Sequence, residues 1–185
     1  MDKTAAEAQI LIWVKSPKTK HKGVSKIIEI YQESLYWHIR KMVISHDDAK
    51  DVLQEVFLRV WKNVHSFKGN SKLSTWLYRI ATNETSRFLD RKNRLLENKN
   101  NLQYILTKEL ESSDLINGDK IQIQLQKAIL QLPEKQRLVF NMRYFDEMKY
   151  EDIAAIMETT VNSSKVSYHH AKTKIEQIMK EEIIL

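Results

Sequence analysis

Glycine and proline are scarce in this chain, and their scarcity narrows the folds that are open to it. Only three glycines and two prolines occur among 185 residues. The long segments between them carry apolar residues at strongly helical spacing. Because glycine and proline are the residues that most often end helices and form turns, such segments favour helices. We therefore predict an all-α fold.

The periodic segments fall into two groups. Residues 98–118, with four Asn, two Ser and one Gly, are weakly periodic and form the best linker, although LQYILTKEL within them can form a helical turn. The sequence thus predicts two small helical domains, 1–97 and 119–185, and a basic break at 15–23. Predicted helices cover residues 4–15, 24–45, 48–64, 73–97, 119–131, 134–146, 149–157 and 162–181.

Composition excludes several classes of site. The chain has no cysteine, which rules out disulfides and thiolate zinc sites. The adjacent His169 and His170 point to different helix faces, and neither a Gly-rich phosphate loop nor a supported catalytic triad is present. We expect no catalytic residue, no metal and no cofactor. The apolar run Ile10–Val14 is too short for a signal peptide, so we expect a cytoplasmic protein without membrane insertion.

Positive charge is concentrated in the first half of the chain. The net charge is +6, and residues 1–97 contain 18 Lys or Arg against 11 Asp or Glu. Residues 121–185 contain nine of each. A basic excess is compatible with an anionic partner such as nucleic acid. Any DNA contact in the second half must therefore rely on a local patch and on tethering to a larger complex.

A helix, a short loop and a second helix follow one another in the first half. The first helical pattern places Val52, Val56 and Val60 on one row, with a cap predicted at Asp47 or Asp48. The second opens at Ser74 or Thr75. Aromatic side chains next to cationic ones suit the binding of melted, single-stranded DNA, because bases stack on the rings and phosphates bind the cations. These rings and cations are Trp76, Tyr78, Phe88, Arg91, Lys92 and Arg94.

Residues 149–175 are predicted to form a helix-turn-helix. The inner face of the short helix includes Ile153 and Ile156, and a polar turn follows at 158–160. A cap at Asn162 or Ser163 would start the longer helix, whose apolar row includes Val166 and Ala171. In this geometry the early part of the second helix faces a major groove. Its candidate residues are Ser163, Ser164, Lys165, Ser167, Tyr168, His169 and, one turn on, Lys172.

Together these blocks resemble the sigma-70 family of bacterial transcription initiation factors, in particular the small extracytoplasmic-function (ECF) type. The resemblance spans about Lys26–Ile178 and rests on DAKDVLQEVFLRVW, FKGNSKLSTWLYRIATN, LPEKQRLVFNMRYFDEMKYEDIAAIM and VNSSKVSYHHAK. Glu158 stands where the family commonly has a small or Gly turn residue, and Ser164 occupies a position that is usually small or apolar. The resemblance implies a non-catalytic subunit that binds core RNA polymerase, through the beta-prime clamp helices and beta flap, and melts promoter DNA. It also implies an anti-sigma factor as a partner.

The resemblance assigns roles to residues at matching positions. Polymerase binding falls to Asp51, Gln54 and Glu55, while Phe57 and Trp61 are expected in the core. The loop is expected to receive a flipped base of the minus-ten element, and Gly69 permits its tight backbone. Its candidate residues are Phe67, Lys68, Asn70 and Ser71. The next helix adds minus-ten contacts at Arg79, Asn83, Arg87, Arg91 and Lys92. The helix-turn-helix candidates contact the minus-thirty-five element.

Three other functions remain open on the sequence. The segment from Arg40 to His46 fits the R-x(4–6)-H spacing of helical ribonucleases of the HEPN type, a pattern that arises often by chance. The helix-turn-helix could belong to a stand-alone regulator. A helical adaptor without nucleic-acid binding is the third, and it would show no salt-sensitive association with DNA.

Overall fold

The structure, a computed structural model, describes residues 3–96, 100–112 and 120–183, and no strand occurs among them. The predicted all-α fold is confirmed. The helices are α1 Lys3–Lys15, α2 Lys20–Val43, α3 His46–Asn63, α4 Leu73–Leu95, α5 Asn100–Glu111, α6 Lys120–Leu130, α7 Glu134–Tyr144, α8 Tyr150–Ile156 and α9 Val161–Ile183, with one 3-10 turn at Val64–Ser66.

Two helix caps differ from those predicted. Ser45 caps α3, since its hydroxyl accepts a hydrogen bond from the Asp48 backbone N–H at 3.3 Å. Asp47 and Asp48 instead lie in the first turn, where their negative charge favours the helix N-terminus. Thr160 plays the same part for α9, because its hydroxyl accepts from the Ser163 backbone N–H at 3.1 Å. In both helices the capping hydroxyl belongs to a residue that precedes the predicted cap residues in the sequence.

The first domain is built by α1 to α4 around an apolar core that continues into α7 and α8. The predicted row of Val52, Val56 and Val60 is buried, as are Leu35 of α2 and Leu77 of α4. The break between α1 and α2 is shorter than predicted, because α2 already begins at Lys20. These helices therefore form a closely packed bundle that holds the loop between α3 and α4 at one end.

Gly23 allows α1 and α2 to cross closely. A side-chain Cβ at this position would lie 2.6 Å from Val14 Cγ1 and 3.2 Å from the Val14 backbone nitrogen. Contacts this short require neighbouring atoms to move, which is costly in a packed core. Thr19 secures the turn between the helices, since its hydroxyl donates to the Trp13 carbonyl oxygen at 2.8 Å.

The predicted linker contains a helix of its own. Helix α5 buries Leu106 and Leu110 against Ile44 at the end of α2 and Leu130 of α6. Three leucines at four-residue spacing, beginning at Leu102, form the row that drives this packing. The polar residues around this row weakened the helical signal in the sequence. Residues 97–99 and 113–119 of the predicted linker segment and its flanks lie outside the described residues.

The second domain packs α6, α7 and α9 around Ala128, Ile129, Phe140, Ala171 and Ile175. Helix α8 lies between this domain and the first, in contact with α4 and α9. Pro133 stands at the start of α7 as predicted, where its missing N–H costs no hydrogen bond.

A buried polar cluster joins the two domains. Asp146, after α7, accepts hydrogen bonds from His38 Nδ1 at 3.0 Å and Lys41 Nζ at 2.6 Å, both on α2. On its other side, the His38 ring forms a hydrogen bond between Nε2 and the Thr82 hydroxyl of α4 at 3.1 Å. Since His38 is fully buried, the cluster fixes α2, α4 and the end of α7 relative to one another.

Candidate nucleic-acid interface

Exposed side chains form a continuous surface along the outer face of α3, here named the α3 stripe. Asp51, Gln54 and Glu55 are exposed, and the valines of the same helix are buried on its other side. The stripe continues into Leu58 and Trp61, which are 46% and 44% exposed. Placing Trp61 in the core was therefore wrong. Its spacing of seven residues from Gln54 puts it on the outer face, and that spacing was the signal available in the sequence.

The loop between α3 and α4 exposes polar side chains and packs on aromatic rings beneath it. Lys68, Asn70 and Ser71 are exposed, and Gly69 has a φ of +78°, in the left-handed region that glycine favours. Phe67 is 7% exposed and packs against Trp76, with ring centroids 5.2 Å apart. Because the Phe67 ring supports the loop from inside the fold, we remove it from the set of base-reading candidates.

The predicted row along α4 does not form one surface. Arg91 lines a cleft with Asp51, Gln54 and Glu55, on the side of the α3 stripe. Asn83, by contrast, lines a different cleft, with Ser86, Glu134 and Met157 among the other lining residues. An α-helix has 3.6 residues per turn, so residues spaced four apart are progressively rotated around its axis. Over the twelve residues from Arg79 to Arg91, this rotation places the two ends of the row on different faces.

The basic residues at the end of the row have acidic neighbours. Arg87 Nη1 donates to Glu84 at 2.6 Å, and Lys92 donates to Asp48 at 2.7 Å and Glu109 at 2.8 Å. Burial would lower the pKa of Lys92, but the hydrogen bonds to these two carboxylates raise it above its usual value. Lys92 therefore ties α4 to α3 and α5, and we remove it from the candidate DNA contacts.

Two cations near the start of α4 are held by the second domain. Arg79 donates to the Ala155 carbonyl oxygen and forms an ion pair with Glu158 at 3.2 Å. Lys72 Nζ lies 2.9 Å from Asp152 Oδ1. In this arrangement of the domains, Asp152 of the short helix α8 and Glu158 just after it occupy these positive groups.

The helix-turn-helix is present, and its second helix is rotated relative to the prediction. Ser164 is fully buried and its hydroxyl donates to the Thr160 carbonyl oxygen at 3.2 Å, so it cannot face a groove. Tyr168 is half-buried and stacks on Phe140, with centroids 5.7 Å apart. Val166, expected inside, is 46% exposed. The buried row is thus Ser164, Tyr168, Ala171 and Ile175, at spacings of three and four.

The outer face of α9 carries most of the remaining candidates. Ser163, Lys165, His169 and Lys172 are exposed, and Ser167 is half-buried. Val166 joins this face, and sequence analysis missed it because an apolar residue was assigned to the core. Glu158, in the turn before this helix, has a φ of 51° and so takes the left-handed conformation that usually favours glycine.

The ribonuclease alternative gains no support from the geometry. Arg40 is 5% exposed within the bundle, whereas His46 is exposed and its Nδ1 lies 2.6 Å from the Tyr36 hydroxyl. Across the described residues, no group of three His, Cys, Asp or Glu could hold a metal ion. The described helices also include none with the length and apolar character needed to cross a membrane.

Two family models match the chain in sequence. Sigma-70 region 2 matches residues 27–95, and Sigma-70 region 4 matches residues 122–175. The first range contains the α3 stripe, the loop and α4, and the second contains the helix-turn-helix.

Relatives and solved structures agree with these matches. The chain is 29% identical over 164 residues to the ECF RNA polymerase sigma factor SigW of Bacillus subtilis, covering 84% of this chain and 88% of that protein. It is 29% identical over 168 residues to the ECF RNA polymerase sigma-E factor of Escherichia coli K12, covering 86% and 87%.

Two similar solved structures have the same fold at lower sequence identity. The sigma factor RpoE bound to the anti-sigma factor NepR, from Bartonella quintana, has a TM-score of 0.64 at 21% identity and covers 84% of this chain and 96% of its own. CnrH in complex with the cytosolic domain of CnrY has a TM-score of 0.69 at 16% identity, covering 95% and 98%. The chain therefore belongs to the sigma-70 family of transcription initiation factors and is of the ECF type.

Proposed function

We propose that this sigma factor binds core RNA polymerase, directs it to promoters with minus-ten and minus-thirty-five elements, and helps to melt them. The observation that carries the proposal is the exposure of three surfaces within the matched regions: the α3 stripe, the loop 68–71 and the outer face of α9. Run-off transcription with purified core polymerase over a promoter library tests it. Failure to support initiation from any promoter would overturn it.

The α3 stripe is the proposed polymerase surface. Its acidic and amide end, Asp51, Gln54 and Glu55, provides charge for recognition, and the exposed Leu58 and Trp61 provide apolar area. We assign the beta-prime clamp helices to this stripe and the beta flap to the second domain. The polymerase would supply the chemistry of RNA synthesis, so the chain itself acts as a non-enzymatic subunit. Its place of action is the cytoplasm, where polymerase and template meet.

The minus-ten element is assigned to the loop and the start of α4. Lys68, Asn70 and Ser71 offer charge and hydrogen-bonding groups to a flipped base, while Arg79 and Asn83 lie on the helix that follows. Arg87 and Arg91 remain as secondary candidates for phosphates farther along α4. Arg79 cannot hold Glu158 and a phosphate with the same nitrogens, so the two domains would separate when promoter DNA binds.

Asn70→Ala and Asn83→Ala should spare core binding but reduce open complex and loosen minus-ten preference. Removing a hydrogen bond to a base edge typically costs about 1–3 kcal/mol. Permanganate footprinting of the melted region would measure the effect. Gln32→Ala, an exposed amide on α2, is the control and should melt DNA normally. Wild-type melting with intact sequence preference in both variants would contradict the assignment.

The minus-thirty-five element is assigned to the outer face of α9. Lys165 and His169 offer hydrogen bonds to base edges, Ser163 and Ser167 offer hydroxyls, and Val166 offers methyl groups that fit a thymine methyl. Lys172 Nζ lies 3.7 Å from Glu176 and remains 60% exposed, so it can still reach a phosphate.

Val166→Ala should change which upstream sequences are used, with a loss of about 1 kcal/mol confined to promoters that carry thymine at one position. Lys172→Ala should weaken all promoters alike, because phosphates do not differ between sequences. Transcription from a library of randomised minus-thirty-five elements would separate the two patterns. A uniform effect of Val166→Ala would place this side chain away from the bases.

An anti-sigma factor is the second proposed partner. One similar solved structure is the sigma factor RpoE in complex with the anti-sigma factor NepR, which supports a similar partner here. Co-purification of the tagged chain from its own cells would identify such a protein. Recovery with core polymerase alone would count against it.

A further inference from the structure

The turn between α1 and α2 is densely basic and contains no acidic residue. Residues 15–22, here named the basic turn, contain Lys15, Lys18, Lys20, His21 and Lys22. All but Lys20 are exposed. None of these lysines has an ion-pair partner among the residues that the structure describes. The turn also precedes the Sigma-70 region 2 match, which begins at residue 27.

The positive charge of this turn is not offset by its surroundings. Residues 8–28 and 56–83 together contain ten Lys or Arg and no Asp or Glu. Four of these cations have acidic partners: Lys26, Arg59, Lys72 and Arg79. The other six, Lys15, Lys18, Lys20, Lys22, Lys62 and Lys68, have none within the described part of the chain. A surface that only needed solubility would intersperse both signs of charge.

The fold brings the basic turn to the same end of the first domain as the loop 68–71. Helix α1 ends and α2 begins there, while α3 ends and the 3-10 turn leads into the loop. Lys20 Nζ lies 4.7 Å above the centre of the Trp61 ring at the end of α3. Helix α1 also contacts the 3-10 turn Val64–Ser66 directly. The turn is held firmly, since Gly23 fixes the crossing of α1 and α2.

We infer that the basic turn binds backbone phosphates of the promoter strand whose flipped base enters the loop 68–71. Lysines are compact charges on flexible stems, which suits phosphates rather than base edges. Because the basic turn lies at the same end of the domain as the loop, it would hold the opened strand irrespective of its sequence. The inference rests on the proposed function of the loop and adds a DNA-binding segment that lies outside the matched region.

Replacing Lys15, Lys18 and Lys22 together by alanine tests the inference. These three are exposed, so the fold should be unaffected. Holoenzyme would be assembled first and its binding to a pre-melted promoter measured across a salt series. The slope of log affinity against log salt should become shallower by about 2, because each phosphate neutralised on a single strand contributes about 0.7 to that slope. Affinity should fall on every promoter tested, with minus-ten preference unchanged.

The control removes the same charge elsewhere. Lys120, Lys135 and Lys180 are exposed lysines of the second domain that lie outside the helix-turn-helix, and their triple alanine variant should keep the wild-type salt slope. An equal slope change in both variants would reduce the effect to net charge and overturn the inference. Weaker core binding by the first variant would assign the turn to polymerase instead, which also overturns it. Failure of wild-type holoenzyme to bind the pre-melted promoter would contradict the proposed function itself, whereas the results above concern the basic turn.

Discussion

Reversing the charge of Asp51 and Glu55 together to arginine should strongly weaken binding to core RNA polymerase while leaving the protein folded. Both side chains are exposed on the α3 stripe, and neither forms an ion pair with another described residue. Exposed substitutions of this kind usually change folding stability by about 0.5 kcal/mol or less. Like charges brought together at an interface cost several kcal/mol, so we expect binding to weaken about a hundredfold or more.

The measurement is binding of labelled chain to purified core polymerase, with circular dichroism to confirm unchanged helicity. Glu33→Arg with Asp90→Arg is the matched control, because both residues are exposed on the first domain but lie on α2 and α4. It makes the same change in net charge and should bind core normally. Wild-type affinity in the Asp51 and Glu55 variant would move the polymerase surface away from α3. Loss of binding in both variants would indicate a general charge effect instead.

The α3 surface could be predicted because its pattern is strong. Buried valines four residues apart define one face of the helix, and the opposite face follows by geometry. The same reasoning failed on α9, where the inner row contains a serine and the outer face a valine. Ser164 can be buried because its hydroxyl bonds to the helix backbone, a solution that hydrophobicity alone does not reveal.

Contacts between segments that are distant along the chain could not be predicted from the sequence. The burial of α5 depends on Ile44 and Leu130, which are far from it along the chain, so a weak local pattern gave only a helical turn. The buried polar contact between the two domains depends on Asp146 meeting His38 and Lys41, more than a hundred residues away. No periodicity links such positions. Only the folded chain brings the carboxylate to its partners.

Asp146→Ala should weaken the packing of the two domains more than the loss of an exposed ion pair at the same interface. Asp146 and Lys41 side chains are 8% and 15% exposed, and His38 is fully buried. Removing one partner of a buried charged cluster leaves the others without compensation and typically costs about 3–5 kcal/mol. We expect a loss at the lower end of that range in urea unfolding, and a larger radius of gyration in X-ray scattering at neutral pH.

Asp152→Ala is the matched control for burial. Asp152 also joins the second domain to a lysine of the first, but Lys72 is 63% exposed, so solvent weakens the pair. Exposed ion pairs typically contribute about 1 kcal/mol or less, and this variant should stay compact. If Asp146→Ala cost no more than Asp152→Ala, the buried cluster would contribute no more to the domain packing than an exposed ion pair does.

The acid sensitivity of the domain packing should also depend on Asp146. Burial alone would raise the pKa of its carboxyl, but the hydrogen bond and charge of His38, with those of Lys41, hold the pKa below its usual value. Tyr78, whose ring packs against His38, also faces this group, and burial and the Asp146 charge raise the pKa of its phenol. A lowered carboxyl pKa stabilises the folded state above the unfolded pKa of about 3.9 and loses that stabilisation as pH falls. In Asp146→Asn this part of the acid dependence should vanish, so the difference in unfolding free energy from wild type should shrink between pH 5 and pH 3. A constant difference over that range would show that folding does not lower the pKa of the Asp146 carboxyl.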